Sequence, residues 1–87
     1  MPWLEIDHLD CSEATRAKLL HKHGIDPERF VRFLLDVRRH PFRWSFDRHP
    51  PRAIVRVRFD DLWVTAALVP PPGAPATYWT LATAFRR

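Results

Sequence analysis

Lys22 and His23 stand side by side just before Gly24, and His49 and Arg52 flank a pair of prolines. Arg56 and Arg58 alternate with Val55, Val57 and Phe59. Arg43 lies between Phe42 and Trp44, and Thr83 and Arg86 fall close to the C-terminus. These side-chain types can handle a phosphodiester without a metal. A general base must take the proton of a ribose 2′-hydroxyl, an acid must protonate the 5′-oxygen, and cations must hold the charge that builds on the phosphorus oxygens. Lys22, His23, Arg56, Arg58 and Thr83 are the candidates for that chemistry. Arg43, His49, Arg52 and Arg86 are the candidates for holding RNA around it. Each of them singly is also what a solvated surface carries, so their placement by the fold decides.

Other chemistries find less support. His21 and His23 are two apart on an expected helix and point in different directions. His40 and His49 are separated by an expected strand and loop, and neither an HExxH pattern nor a cysteine pair is present. No metal ligand set is expected. The two glycines, Gly24 and Gly73, cannot make a phosphate-binding glycine loop, and no cofactor is expected. Cys11 is the one cysteine, which leaves no internal disulfide, and a buried structural role suits it better than a nucleophile's.

At 87 residues and 46% hydrophobic, the chain is expected to form one domain over 1–87 with a compact core. Its charge is uneven. Residues 1–28 carry six acids and three bases, residues 29–59 carry nine arginines against Asp36 and Asp47, and residues 60–87 balance. Twelve of the fourteen cationic residues are arginine, whose planar fork suits phosphate. The opening MPWLEIDH is not the basic-then-apolar pattern of a secretory leader, and no apolar run is long enough to span a bilayer. The sequence therefore reads as cytoplasmic, with no membrane partner.

The elements that must position these residues follow from local signals. Residues 3–7 alternate as a short edge strand does. Asp10 with Glu13 three residues on suggests a capping box for a helix over 12–23, with Ala14, Ala17 and Leu20 as its apolar strip, Leu19 beside it, and Gly24 as its C′ residue. Asp26-Pro27-Glu28 opens a second helix running to about Arg39, whose buried face is Phe30, Phe33, Leu34 and Val37. Strands follow over 42–46, 53–59, 62–69 and 77–85, with a two-residue turn at Asp60-Asp61 and a proline-rich connection over 70–75. The fold class is α+β: two N-terminal helices on one face of a four-stranded antiparallel sheet, with a short N-terminal strand as an addition. On the 53–59 strand, Arg56 and Arg58 share the open face, about 7 Å apart, and Val55 and Val57 the buried one.

The run Lys22-His23-Gly24-Ile25, followed by Asp26-Pro27-Glu28, resembles the KHG(V/I)-xxEE segment of BrnT-type toxins. The order of elements is similar too, as are an arginine-led middle strand and a last strand with a hydroxyl–alanine pair, Thr83-Ala84. The resemblance implies a RelE/barnase-like fold and a metal-independent endoribonuclease of a toxin–antitoxin module. It also implies RNA as substrate, a cognate antitoxin as partner, and a homodimer or toxin–antitoxin hetero-oligomer. In that family an arginine follows the hydroxyl–alanine pair, whereas this chain has Phe85 there and its cation one place later, at Arg86. The alternative is a non-catalytic small basic domain of the same fold that binds nucleic acid or protein. Trp44, Trp63, Tyr78 and Trp79 could then stack bases, although core positions suit most of them better.

Overall fold

The computed structural model describes residues 2–86. Two three-residue strands, β1 (Trp3–Glu5) and β2 (His8–Asp10), precede helices α1 (Glu13–His23) and α2 (Pro27–Val37). Four longer strands follow: β3 (Arg39–Ser45), β4 (Arg52–Phe59), β5 (Leu62–Val69) and β6 (Tyr78–Arg86). The class is α+β as expected, but the sheet has six strands rather than four, in the order β1-β3-β4-β5-β6-β2. It is also mixed: β2 runs parallel to β6, and the other neighbours are antiparallel. A single short N-terminal strand was expected. Instead, the segment is divided between the two edges of the sheet, and three-residue strands are too short for alternation to separate them.

This division curls the sheet. Residues 6–7 join a strand on one edge directly to a strand on the other, and Ile6 N–H donates to Arg38 O while Asp7 N–H donates to Thr77 O. Trp44 of β3 and Trp79 of β6 face each other with ring centroids 6.2 Å apart. In a flat sheet, three strand spacings would separate them by about 14 Å. The core fills the concave side. Val55, Val57 and Phe59 of β4, Val64, Ala66 and Leu68 of β5, and Leu81 and Ala84 of β6 meet Phe30 and Leu34 of α2 and Leu19 of α1. Phe30 lies edge-on to Phe59, with centroids 5.2 Å apart.

Both helices begin and end by local rules, with corrections. Asp10 is occupied in β2 opposite Thr80, so the cap of α1 is Ser12, whose hydroxyl accepts from Thr15 N–H. Gly24 ends α1 at φ 64° as expected. The apolar strip, however, does not face inward. Leu19 is 1% exposed and Leu20 is 50% exposed, and Ala14 and Ala17 are also exposed. Helix α1 lies along the part of β6 that extends past β2, where Thr15 Oγ1 donates to Ala82 O. It therefore covers a strand edge rather than a broad sheet face, and one leucine suffices. Asp26 caps α2 by accepting from Glu28 N–H and Arg29 N–H. The helix stops at Val37 because Arg38 adopts φ 69°, earlier than Pro41 alone suggests, and Val37 is exposed. Pro41 then sits inside β3, opposite Trp3.

The β4–β5 hairpin closes on Asp60 (φ 51°) and Asp61 (φ 62°), the pair of left-handed residues of a type I′ turn. Asp60 is held by a bidentate pair with Arg29, at 2.7 and 3.0 Å. Glycine adopts this conformation without steric cost, whereas an L side chain does not. Asp61→Gly is therefore expected to stabilise the protein by roughly 0.5–1 kcal/mol, read as a raised urea midpoint at unchanged m-value.

Among the described residues His40 is the one buried charged or polar side chain, 2% exposed, and its Nε2–H donates to Leu34 O at 3.1 Å, tying β3 to the end of α2. Burial lowers its pKa below the ordinary value of 6.5, and the bond to Leu34 offsets part of that. The native state thus resists the proton that the unfolded chain takes up. Stability is full above pH 6.5 and falls as pH drops below it, by at most about 1.4 kcal/mol per pH unit per group, until the folded-state pKa is passed. His40→Gln keeps an N–H donor and does not titrate, so the fall with acidification through this window is expected to flatten in urea titrations at pH 5.0 and 7.0.

Candidate nucleic-acid interface on the outer sheet face

The register assigns every strand residue to a face, because residues directly opposite each other point the same way. On the convex side, Arg43 (β3) lies opposite Ile54 (β4), Ile54 opposite Ala67 (β5), and Ala67 opposite Thr83 (β6). The adjoining row runs Arg56, Thr65, Phe85, and the next pairs Arg58 with Trp63. Ser45 lies opposite Arg52 at the other end. The outer face is therefore an arginine half on β3 and β4 beside a half of threonines and small or apolar side chains on β5 and β6.

Trp63 organises the arginines. Its ring carries the Arg56 guanidinium at 4.6 Å from the centroid and the Arg58 guanidinium at 5.7 Å. The ring's negative face attracts both cations and limits the rotamers they sample. Arg56 and Arg58 are exposed, and Trp63 is 44% exposed. Five acids pair with cations other than Arg56 and Arg58: Asp60 with Arg29, Asp7 with Arg38, Glu5 with Arg39, Glu28 with Arg16, and Asp10 with His8. Arg43, Arg52, Arg56 and Arg58 thus place four guanidinium groups on the β3–β4 part of the outer face.

The remaining candidates fall in three places. Arg43 and Arg52 join Arg56 and Arg58 on the outer face, and Thr83 lies there too, half-buried. His23, at the end of α1, comes to the rim of that face, its ring 6.5 Å from Phe85. It thus ends the row Arg56, Thr65, Phe85. Lys22 is exposed one residue earlier on the helix, and His49 is exposed in the loop between β3 and β4. Arg86 points to the other side: its Nη2 donates to Gly24 O at 3.0 Å, closing the C-terminal end of α1. Strand alternation separates it from Thr83 and Phe85, so it is a structural clamp and not a neighbour of the arginine row. Phe85 gives the outer face an aromatic ring at the position after Thr83-Ala84.

Two features escaped the sequence reading. Trp63, Trp44 and Tyr78 are not core residues but 44%, 40% and 38% exposed, and only Trp79 is buried, with its indole N–H on Glu5 O. Trp63 follows the turn by two residues and sits directly across from Arg58, a cross-strand pairing that the turn position already fixes. The Cys11 thiol is pushed up by partial burial, with Arg16 pulling the other way, so it is protonated at neutral pH. Among the described residues no group of three His, Cys, Asp or Glu converges as a metal site would need, and no helix is long and apolar enough to cross a membrane. Comparison of the chain with protein-family models, with curated proteins and with solved structures finds no match.

Proposed function

We propose that this protein binds single-stranded RNA along β4 on the outer sheet face. The observation that carries this reading is the pair of exposed guanidinium groups, Arg56 and Arg58, held over the exposed Trp63 ring. Arginine forks bind phosphate oxygens in a bidentate manner. The part of the indole that the guanidinium groups leave exposed supplies a stacking surface that accepts any base. Arg43 and Arg52 extend the cationic strip on the same face. A duplex is a poorer match, since its bases are not free to stack on a side chain.

A second reading, favoured by the position of His23 at the end of the Arg56 row, is metal-independent cleavage of the bound RNA. His23 would move the proton and Arg56 would hold the phosphate, as the resemblance to BrnT-type toxins suggests, with an antitoxin as the expected partner. The test is one titration series. A fluorescein-labelled eight-nucleotide RNA is expected to raise anisotropy with an affinity that weakens steeply between 50 and 200 mM salt. Binding that is insensitive to salt, or no binding, refutes the RNA reading. Product formation from the same RNA in excess EDTA, lost in His23→Gln, would establish the second reading; intact RNA would refute it.

A further inference from the structure

The β3 edge carries a feature that the outer face does not use. Strand β1 pairs only with Arg39, His40 and Pro41 of β3, and Phe42 N–H continues to Pro2 O. Beyond that point, β3 is paired on its β4 side alone among the described residues. Because Phe42 directs its N–H away from β4, the alternation of an antiparallel pair directs the main-chain groups of Trp44 outward as well. The open edge also bears an aromatic row on the concave side. Phe42, Trp44 and Phe46 stand in sequence with centroids 5.4 and 6.5 Å apart, and Phe46 is 73% exposed. On the convex side of the same edge lie Arg43 and, one strand in, Arg52 opposite Ser45.

We propose that this edge is a docking site for an extended peptide segment whose residues alternate apolar and acidic. A strand added to β3 would satisfy the outward main-chain groups of Trp44. Its residue opposite Trp44 would point to the aromatic row, and the residues on either side of it would point to the Arg43 side. Pattern and charge are therefore both specified: apolar side chains against Trp44 and Phe46, carboxylates beside Arg43 and Arg52. A second copy paired antiparallel about Trp44 would place Ser45, not a carboxylate, opposite Arg43. A nucleic acid cannot complete a main-chain ladder. This site does not depend on RNA binding by the outer face, and either can fail without the other.

The test uses the whole protein and an alternating glutamate–valine hexapeptide, followed by tryptophan fluorescence. Saturable binding is expected, with at least a tenfold preference over the lysine–valine analogue. The charge reversal Arg43→Glu, on an exposed side chain, is expected to remove or invert that preference. Backbone N-methylation of the peptide on alternate residues should abolish binding in one phase of the alternation and spare it in the other, because only one edge of the added strand pairs. Equal binding of the acidic and basic peptides would overturn the inference, as would indifference to both methylation phases. Self-association in sedimentation equilibrium that the peptide does not reverse would assign the edge to a second copy. If Trp44→Ala weakens RNA binding and leaves peptide binding unchanged, the aromatic row belongs to the nucleic acid and the inference falls.

Discussion

Phe30→Ala is expected to cost about 3–5 kcal/mol of stability, the usual range for truncating a fully buried phenylalanine. Phe30 is 0% exposed and lies in α2, which drives both Phe30 and Leu34 into the curl of the sheet, and it meets Phe59 edge-on at 5.2 Å. The truncation removes that aromatic pair and leaves a void that α2 cannot close easily. Its Asp26 cap and the bond from Arg38 N–H to Leu34 O fix both of its ends. Domains of this size are stable by about 5–15 kcal/mol in total, so the variant stands close to unfolding at room temperature. Its thermal midpoint should fall by roughly 12–40 °C, taking about 4–8 °C per kcal/mol. An unchanged midpoint would mean that the α2 face is not part of the cooperative core.

The α2 face was legible in the sequence, and the α1 face was not. In α2, Phe30, Phe33, Leu34 and Val37 recur at helical spacing after a strong Asp-Pro-Glu start; the structure buries Phe30 and Leu34, half-buries Phe33 and leaves Val37, at the helix end, exposed. In α1, the apolar strip through Ala14, Ala17 and Leu20 is the better pattern on paper, yet Leu19 is the residue that is buried. Periodicity reports a wide apolar stripe well, but a helix that covers only the edge of β6 needs a single anchor, and a single anchor has no period. The same reasoning covers the sheet. The β4 alternation predicted Val55, Val57 and Phe59 inward and the arginines outward, and each stands so. The split of residues 3–10 between two sheet edges rests on partners more than thirty residues away in the sequence, which no local pattern encodes.

The candidate site divides in the same way. Arg56 and Arg58 could be placed on one face from their spacing alone, because the period of a strand is two. Trp63 as their shared platform needed the turn geometry, and Arg86 as the clamp on Gly24 needed the packing of α1 against β6. His40 gives no local signal of burial, since an imidazole between Arg39 and Pro41 continues no apolar alternation in the sequence.

The alternation on β4 makes the functional proposal separable from folding. Arg56→Ala with Arg58→Ala removes two exposed side chains and leaves the buried row of Val55, Val57 and Phe59 intact. The double variant should therefore unfold within about 0.5 kcal/mol of the parent, as surface substitutions do. RNA affinity should respond differently. Each phosphate neutralised on a single strand contributes about 0.7 to the slope of log affinity against log salt, so losing two contacts lowers that slope by roughly 1.4. At 0.1 M salt, binding should weaken by roughly tenfold or more, uniformly across RNA sequences, because phosphate contacts carry no base information. Val55→Ala is the mirror experiment. It truncates a side chain that is 0% exposed, so it should destabilise the fold while the remaining folded protein keeps the parental salt slope. If the arginine pair loses stability and RNA binding together, the two guanidinium groups support the hairpin through Trp63. If it loses neither, the outer face of β4 is not where RNA is held.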